Sequence, residues 1–207
     1  MAPALHPVAG LAAAYLSGAF PTAYLAGRLI KGIDLRQHGS GNLGATNVYR
    51  LLGRNVAAVV LIVDALKGAL PVLLLPPLLV SSHPELWAIA LGVVAILGHV
   101  RSPFLLWRGG GKGVATAGGV FAALAPVAMF AALIAWGLVL WASGYVSLAS
   151  LTAAALLPLV VLGTMGPSSP VFGLSVVVAL FVFWTHRANI QRLRAGTESR
   201  FGRKAAS

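Results

Sequence analysis

The chain has 207 residues, 58% of them hydrophobic and 9% charged, with a net charge of +11 and a mean hydropathy of +0.89. A soluble domain carries roughly a quarter charged residues, so this composition excludes a water-facing exterior and makes lipid the outer solvent. It leaves no soluble body whose basic face would bind nucleic acid, and the lack of cysteine excludes disulfides, thiolate nucleophiles and cysteine-ligated metals.

An apolar run over residues 5 to 27 comes first, and Arg28 is the first basic residue. A cleaved signal peptide would begin with positive charge. A span followed by charge instead predicts an N-terminus outside and Arg28 inside. Fourteen of the fifteen Lys and Arg residues fall into three clusters. The first holds Arg28, Lys31, Arg36, Arg50 and Arg54, the second Arg101, Arg108 and Lys112. The third holds Arg187, Arg192, Arg194, Arg200, Arg203 and Lys204, and the exception is Lys67. The positive-inside rule places all three in the cytoplasm, so each apolar stretch between them crosses an even number of times.

Residues 55 to 100 therefore leave and return, with the turn expected at Ser81-Ser82-His83-Pro84-Glu85. Residues 113 to 185 carry no charge. Breaks at Pro126, at 141 to 145 and at 163 to 170 favour four short spans there, although two long ones satisfy the same parity. The expectation is an all-α integral membrane protein, a polytopic helical bundle forming one domain over residues 1 to 207. Seven transmembrane helices fit best, five also fit, and the C-terminus from His186 is cytoplasmic. Abundant glycine and small residues suit close helix packing in lipid, and no internal repeat is visible.

Each basic cluster carries a segment that a plain loop does not need. In Gly39-Ser40-Gly41-Asn42-Leu43-Gly44-Ala45-Thr46-Asn47-Val48-Tyr49-Arg50 the glycines allow close backbone approach. Ser40, Asn42, Thr46 and Asn47 supply uncharged donors and acceptors, and Arg50 offers a planar fork for phosphate or carboxylate. Without a ligand, the segment reads as a polar turn before an interfacial helix. The second segment, Arg108-Gly109-Gly110-Gly111-Lys112-Gly113-Val114-Ala115-Thr116, opens a predicted span. Successive glycine N–H groups at a helix start make an anion site, to which Lys112 adds a point charge; the plain alternative is a hinge flanked by topogenic charges. It is not a Walker A loop, because position 106 is leucine and glycine follows Lys112.

The third segment runs from His186 to Glu198. On a helix His186 and Asn189 share a face, with Arg192 continuing near it, a stripe able to orient and deprotonate a hydroxyl beside an anion. The plain alternative is a basic helix on anionic lipid. Asp64 and Lys67, three apart in an apolar stretch, read as a structural ion pair. His99 reads equally as a site residue or an interfacial cap, and Tyr145 and Ser147 open a later span.

Together the three segments resemble the signature motifs of the PlsY family, bacterial membrane glycerol-3-phosphate acyltransferases that take acyl-phosphate as donor. The first, Ser40-Gly41-Asn42-x-Gly44-Ala45-Thr46-Asn47-x-x-Arg50, matches without a gap. The third, His186-x-x-Asn189-Ile190-x-Arg192-Leu193-x-x-Gly196-Thr197-Glu198, also matches throughout. Tyr145 to Ser150 and Asp64-x-Leu66-Lys67-Gly68 are further landmarks, and the resemblance extends from about residue 15 to 200. The second motif departs: Arg101 stands where Phe is usual, and Gly109-Gly110-Gly111 gives one glycine more, shifting the register between His99 and Lys112. A rival acyltransferase class with a His-x4-Asp base is excluded, since no histidine here has Asp five residues on.

The resemblance implies acyl transfer from acyl-phosphate to the 1-hydroxyl of glycerol 3-phosphate, giving lysophosphatidic acid and phosphate without cofactor or metal. It places His186, Asn189 and Lys112 as catalytic. His186 or a substrate phosphate oxygen takes the proton, and both alternatives stand. Gly109, Gly110, Gly111 and Lys112 fall to the acyl-phosphate; Ser40, Asn42, Thr46, Asn47 and Arg50 fall to glycerol phosphate, with Arg192 assisting and Ser147 beside them. The three clusters would be three walls of one cytoplasm-facing site at the bacterial inner membrane. Partners would be the bilayer, the two substrates and, transiently, the soluble enzyme that makes acyl-phosphate. A transporter of an organic anion is the alternative from another class.

Overall fold

The structure is a computed structural model that describes residues 5–79 and 83–202. Ser81 and Ser82 of the expected turn, and Arg203 and Lys204 of the third cluster, lie outside the described residues. Apart from one bridge between Leu5 and Leu79, all regular structure among the described residues is helical. The chain forms two compact units, one running to Leu124 and the other starting at Ala125.

The first unit holds α1 (Pro7–Ala19), α2 (Thr22–Lys31), α3 (Ala45–Leu52), α4 (Arg54–Leu74), α5 (Pro84–Val100) and α6 (Val114–Leu124). Pro21 cannot continue α1, so the chain breaks there and restarts as α2. α1 lies on α5, and α4 on α6, at backbone distance. A Cβ on Gly18 would overlap the Ala95 carbonyl, and one on Gly98 the Tyr15 carbonyl; Gly68 and Gly119 meet Thr116 and Ala65 in the same way. In lipid such small-residue contacts supply the van der Waals packing that water-driven burial cannot.

The second unit holds α7 (Pro126–Ser143), α8 (Val146–Met165), α9 (Pro170–Thr185) and α10 (Arg187–Arg194). Gly144, left-handed at φ 75°, ends α7, and the Ser169 side chain caps α9 by accepting from Val171 N at 3.2 Å. Trp141 (86% exposed), Phe130 and Leu180 face outward, as suits side chains solvated by lipid.

Residues 113–185 thus fold as four helices, α6 to α9, broken near the expected places. Length separates them. The 11 residues of α6 rise about 16 Å, roughly half of a bilayer core of about 30 Å. Among the described residues five helical segments are long and apolar enough to cross a membrane, and a sixth counts if α9 and α10, bent by 59°, form one span. The seven expected from parity include α6 and α9, which do not reach that length by themselves. The protein is a multi-pass, all-helical membrane protein.

Candidate active site

In the first unit the polar segment after α2 is built on Asp34. Its carboxylate accepts from Arg36 N at 3.0 Å and Arg36 Nη2 at 2.7 Å, and lies 3.6 Å from Arg28. The Arg36 hydrogen bonds hold the Asp34 carboxyl at about 2, against an ordinary 3.8, and outweigh the opposing effect of burial. Arg36 Nη1 donates in turn to the Arg108 carbonyl at 3.1 Å, and Leu43 N to the Gly110 carbonyl at 3.4 Å. The first and second polar segments are thereby laced together within one unit.

Asn47, 1% exposed, is a clamp at the start of α3. Its Oδ1 accepts from Ser40 N at 3.0 Å, and its Nδ2 donates to the His38 carbonyl at 3.1 Å and the Leu35 carbonyl at 3.3 Å. The side chain expected to meet substrate thus shapes the loop that carries Ser40 and Asn42. Ser40 and Arg50 are exposed, whereas Asn42 and Thr46 are half-buried. Arg50 makes no ion pair among the described residues and has its fork available to an anion.

The second segment follows two left-handed residues, Leu106 and Trp107, with Trp107 Nε1 donating to Tyr15 Oη at 2.9 Å. Each of its three glycines meets a close neighbour. Gly109 is left-handed at φ 84° and packs on the Arg36 side chain. Gly110 sits against the carbonyls of Val100 and His99, and Gly111 against the His99 ring. None is a spare residue. Lys112 is half-buried just before α6.

Beneath this loop Asp64, Lys67 and His99 are all buried. Lys67 Nζ lies 2.8 Å from Asp64 Oδ1, as the sequence spacing predicts, and also donates to the Phe20 carbonyl at 3.0 Å. His99 Nδ1 is 3.9 Å from the same Asp64 oxygen. A small cavity here is lined by Phe20, Asp64, Lys67, His99, Gly110 and Gly111 among others.

In the second unit His186, 3% exposed, sits at the bend between α9 and α10. Its Nδ1 is 2.8 Å from the Val182 carbonyl, which can only accept, so Nδ1 carries the proton and the basic lone pair is on Nε2. Asn189 Nδ2 donates to Glu198 Oε1 at 2.6 Å, Ser147 Oγ donates to the same oxygen at 2.7 Å, and Arg192 Nε donates to Oε2 at 2.6 Å. Burial alone would raise the Glu198 carboxyl, but these three donors bring it below its ordinary range. The tail returns because Phe201 N donates to the Gly144 carbonyl at 2.6 Å and Arg200 stacks on Tyr145.

Glu198 is the residue that sequence reasoning left without a role. A usable signal existed. The chain has four acidic residues, and an acid inside a motif that also carries Asn189 and Arg192 has its partners written beside it. Ser147, from α8, is the partner that spacing could not supply.

Spans of helix that end in glycine-, asparagine- and arginine-bearing loops define a multi-pass membrane protein whose polar loops suit phosphate groups. The sequence model of the family described as glycerol-3-phosphate acyltransferase matches residues 8–196. A glycerol-3-phosphate acyltransferase of Geobacter metallireducens is 52% identical over 191 residues, covering 92% of this chain and 95% of the relative. That of Geotalea daltonii is 48% identical over 190 residues with the same coverage. Crystal structures of PlsY (YgiH), an integral membrane glycerol 3-phosphate acyltransferase, also align. The glycerol 3-phosphate form gives a TM-score of 0.85 at 37% identity, covering 95% of this chain and 96% of that one. The lysophosphatidic acid form gives 0.82 at 36%, covering 95% of each. The chain belongs to the glycerol-3-phosphate acyltransferase family.

Proposed function

We propose that this protein transfers a fatty acyl group from acyl-phosphate to the 1-hydroxyl of glycerol 3-phosphate, at the cytoplasmic face of the bacterial inner membrane. The observation that carries the reading is the lacing of two phosphate-suited loops in one unit, through Leu43 N to the Gly110 carbonyl and Arg36 to the Arg108 carbonyl. A reaction between two phosphate-bearing substrates needs two such cradles in fixed relation. The family, and the glycerol 3-phosphate and lysophosphatidic acid forms of its structural relatives, support the acceptor and the product.

In the proposed chemistry the substrate hydroxyl oxygen forms a bond to the acyl carbon, and the bond from that carbon to the phosphate oxygen breaks. Inorganic phosphate leaves with the electron pair, and lysophosphatidic acid remains. The donor is already activated, so no covalent enzyme intermediate is needed. The N–H groups of Gly109 to Lys112 and the Lys112 ammonium receive the donor phosphate and stabilise charge as it grows. Arg50, Ser40, Asn42 and Thr46 hold the acceptor phosphate, in a loop whose shape Asn47 sets. The hydroxyl proton passes to His186 Nε2, whose lone pair the Nδ1 bond to Val182 places there, or to a phosphate oxygen. Asn189, Ser147 and Arg192 act through Glu198. The N-terminus lies outside and the C-terminus in the cytoplasm, with donor supplied by a soluble enzyme that visits that face.

Purified protein given glycerol 3-phosphate with either acyl-phosphate or an acyl thioester, followed by phosphate release and lipid product, tests the reading. Turnover with acyl-phosphate is expected. Turnover only with the thioester would reassign the donor, and none with either would remove the activity. Single cysteines introduced at Ser40 and at Leu5 into this cysteine-free chain, labelled by an impermeant maleimide in intact cells, test the orientation. Labelling at Leu5 but not at Ser40 is expected.

A further inference from the structure

We propose that His99 is a positioning residue of the second loop: its imidazole is the post against which Gly111 is pressed, and it fixes where the loop N–H groups point. The idea rests on the reading of that loop as a phosphate cradle. The contact itself leaves no latitude. A Cβ on Gly111 would overlap the His99 ring at Nε2, and one on Gly110 would overlap the carbonyls of His99 and Val100. One residue of α5 thus bounds two successive glycines of the cradle, once with its backbone and once with its ring.

The post is itself braced. His99 Nδ1 stands 3.9 Å from Asp64 Oδ1, which lies 2.8 Å from Lys67 Nζ. That ammonium reaches the Phe20 carbonyl, at the break that Pro21 imposes between α1 and α2. Ser102 Oγ donates at 2.6 Å to the Ala19 carbonyl at the same break, so the segment after α5 is tied there too. Four elements of one unit therefore converge under the loop. His99 is 7% exposed, its ring lies directly against Gly111, and with Gly110, Gly111, Asp64 and Lys67 it lines the small cavity under the loop. The glycine at position 111 follows from this arrangement: with the ring filling the space behind it, only a residue without a side chain keeps the backbone on its course.

The test is a rescue cycle on the full-length protein in detergent, with kcat, both KM values and the melting temperature measured. Gly111→Ala is expected to raise the acyl-phosphate KM about tenfold or more, the equivalent of one well-placed phosphate hydrogen bond, with the glycerol 3-phosphate KM little changed. His99→Ala is expected to raise the same KM. The double variant His99→Ala/Gly111→Ala, in which the methyl enters the space left by the ring, should bind donor better than Gly111→Ala alone. Should His99→Ala fail to fold, His99→Asn, smaller but polar, runs the same cycle. Gly137→Ala, whose Cβ enters open space, is the control and should leave both constants unchanged. Both KM values normal in Gly111→Ala, or a double variant no better than that single, overturns the proposal. If the cycle holds but every shift falls on the glycerol 3-phosphate KM, His99 keeps its role and the donor assignment of the loop fails instead.

Discussion

Asp64 and Glu198 are both shielded carboxylates with a basic partner, yet they are assembled differently. Asp64 meets Lys67 one turn along the same helix, with both side chains buried in an apolar stretch. Glu198 comes from the tail beyond α10 and collects Ser147 from α8 and Asn189 and Arg192 from α10. The first arrangement is a fixed local pair whose removal strands a charge in a low-dielectric interior. The second ties helix ends to a tail, with Arg192 44% exposed, so its value lies in where it holds its partners. The comparison separates the cost of stranding a buried charge, which Asp64 carries through Lys67, from the cost of releasing helix ends, which Glu198 carries through Ser147, Asn189 and Arg192.

The largest effect expected from breaking the pair is on stability. Asp64→Ala leaves the Lys67 ammonium uncompensated and should cost about 3–5 kcal/mol, whereas replacing both residues by apolar ones of similar volume should cost far less. Melting in detergent reads the difference. A wild-type melting temperature in Asp64→Ala would mean that Asp64 is not the counter-charge, and the contrast with Glu198 would collapse.

Two substitutions sharpen the other side of the comparison. His186→Ala should lower kcat by about 10²–10⁴-fold if His186 is the proton acceptor, with melting close to wild type. Near-normal turnover would pass the proton to a substrate phosphate. Glu198→Ala should lower kcat by about 10–100-fold, the usual cost of misplacing catalytic groups by a fraction of an ångström to an ångström. It should lower melting by less than Asp64→Ala does, because it strands the neutral donors of Ser147 and Asn189 and a half-exposed Arg192 rather than a buried charge. A large melting shift without a kcat effect would put Glu198 in the same category as Asp64.

How much of this was legible in the sequence follows the same local-versus-gathered division. The apolar blocks, the break at Pro126 and the Asp64–Lys67 spacing are local and were readable from periodicity and charge. The short reach of α6 was not, because an 11-residue apolar helix and the end of a longer one have the same composition. Asn47 was read as a substrate donor from its place among glycines. In the structure its amide closes the loop on Ser40, His38 and Leu35, and an asparagine in a polar segment looks the same in either role. The pressing of Gly111 on His99 joins α5 to a loop 12 residues on, and Ser147 meets Glu198 across 51 residues. No spacing rule reaches that far.

Asn47 carries the next prediction down. Asn47→Ala removes partners from one backbone N–H and two carbonyls at a buried position, which should cost about 1–3 kcal/mol and raise the glycerol 3-phosphate KM by letting the Ser40–Asn42 loop drift. Asn42→Ala should raise that KM without the stability loss. Equal melting in the two variants would return Asn47 to direct substrate contact.

The smallest effect expected is a pH dependence, and its sign is fixed by Asp34. Arg36 lowers the Asp34 carboxyl to about 2 from an ordinary 3.8, so the ionised form is favoured in the folded loop. The stabilisation it gives is complete above about pH 4 and is lost as pH falls from there towards 2. The Glu198 carboxyl is lowered too and carries the same sign. Maleimide labelling of a single cysteine at Leu43, buried in the same loop, corrected for the intrinsic pH dependence of the thiol with a peptide standard, should therefore stay flat from neutrality to about pH 4 and rise below it. Asp34→Asn should label faster at neutral pH and show no acid step, since the group that titrates is gone. An acid step that survives Asp34→Asn would assign it to another carboxyl, and Glu198→Gln in the same background would show whether the gathered carboxylate is the one responsible.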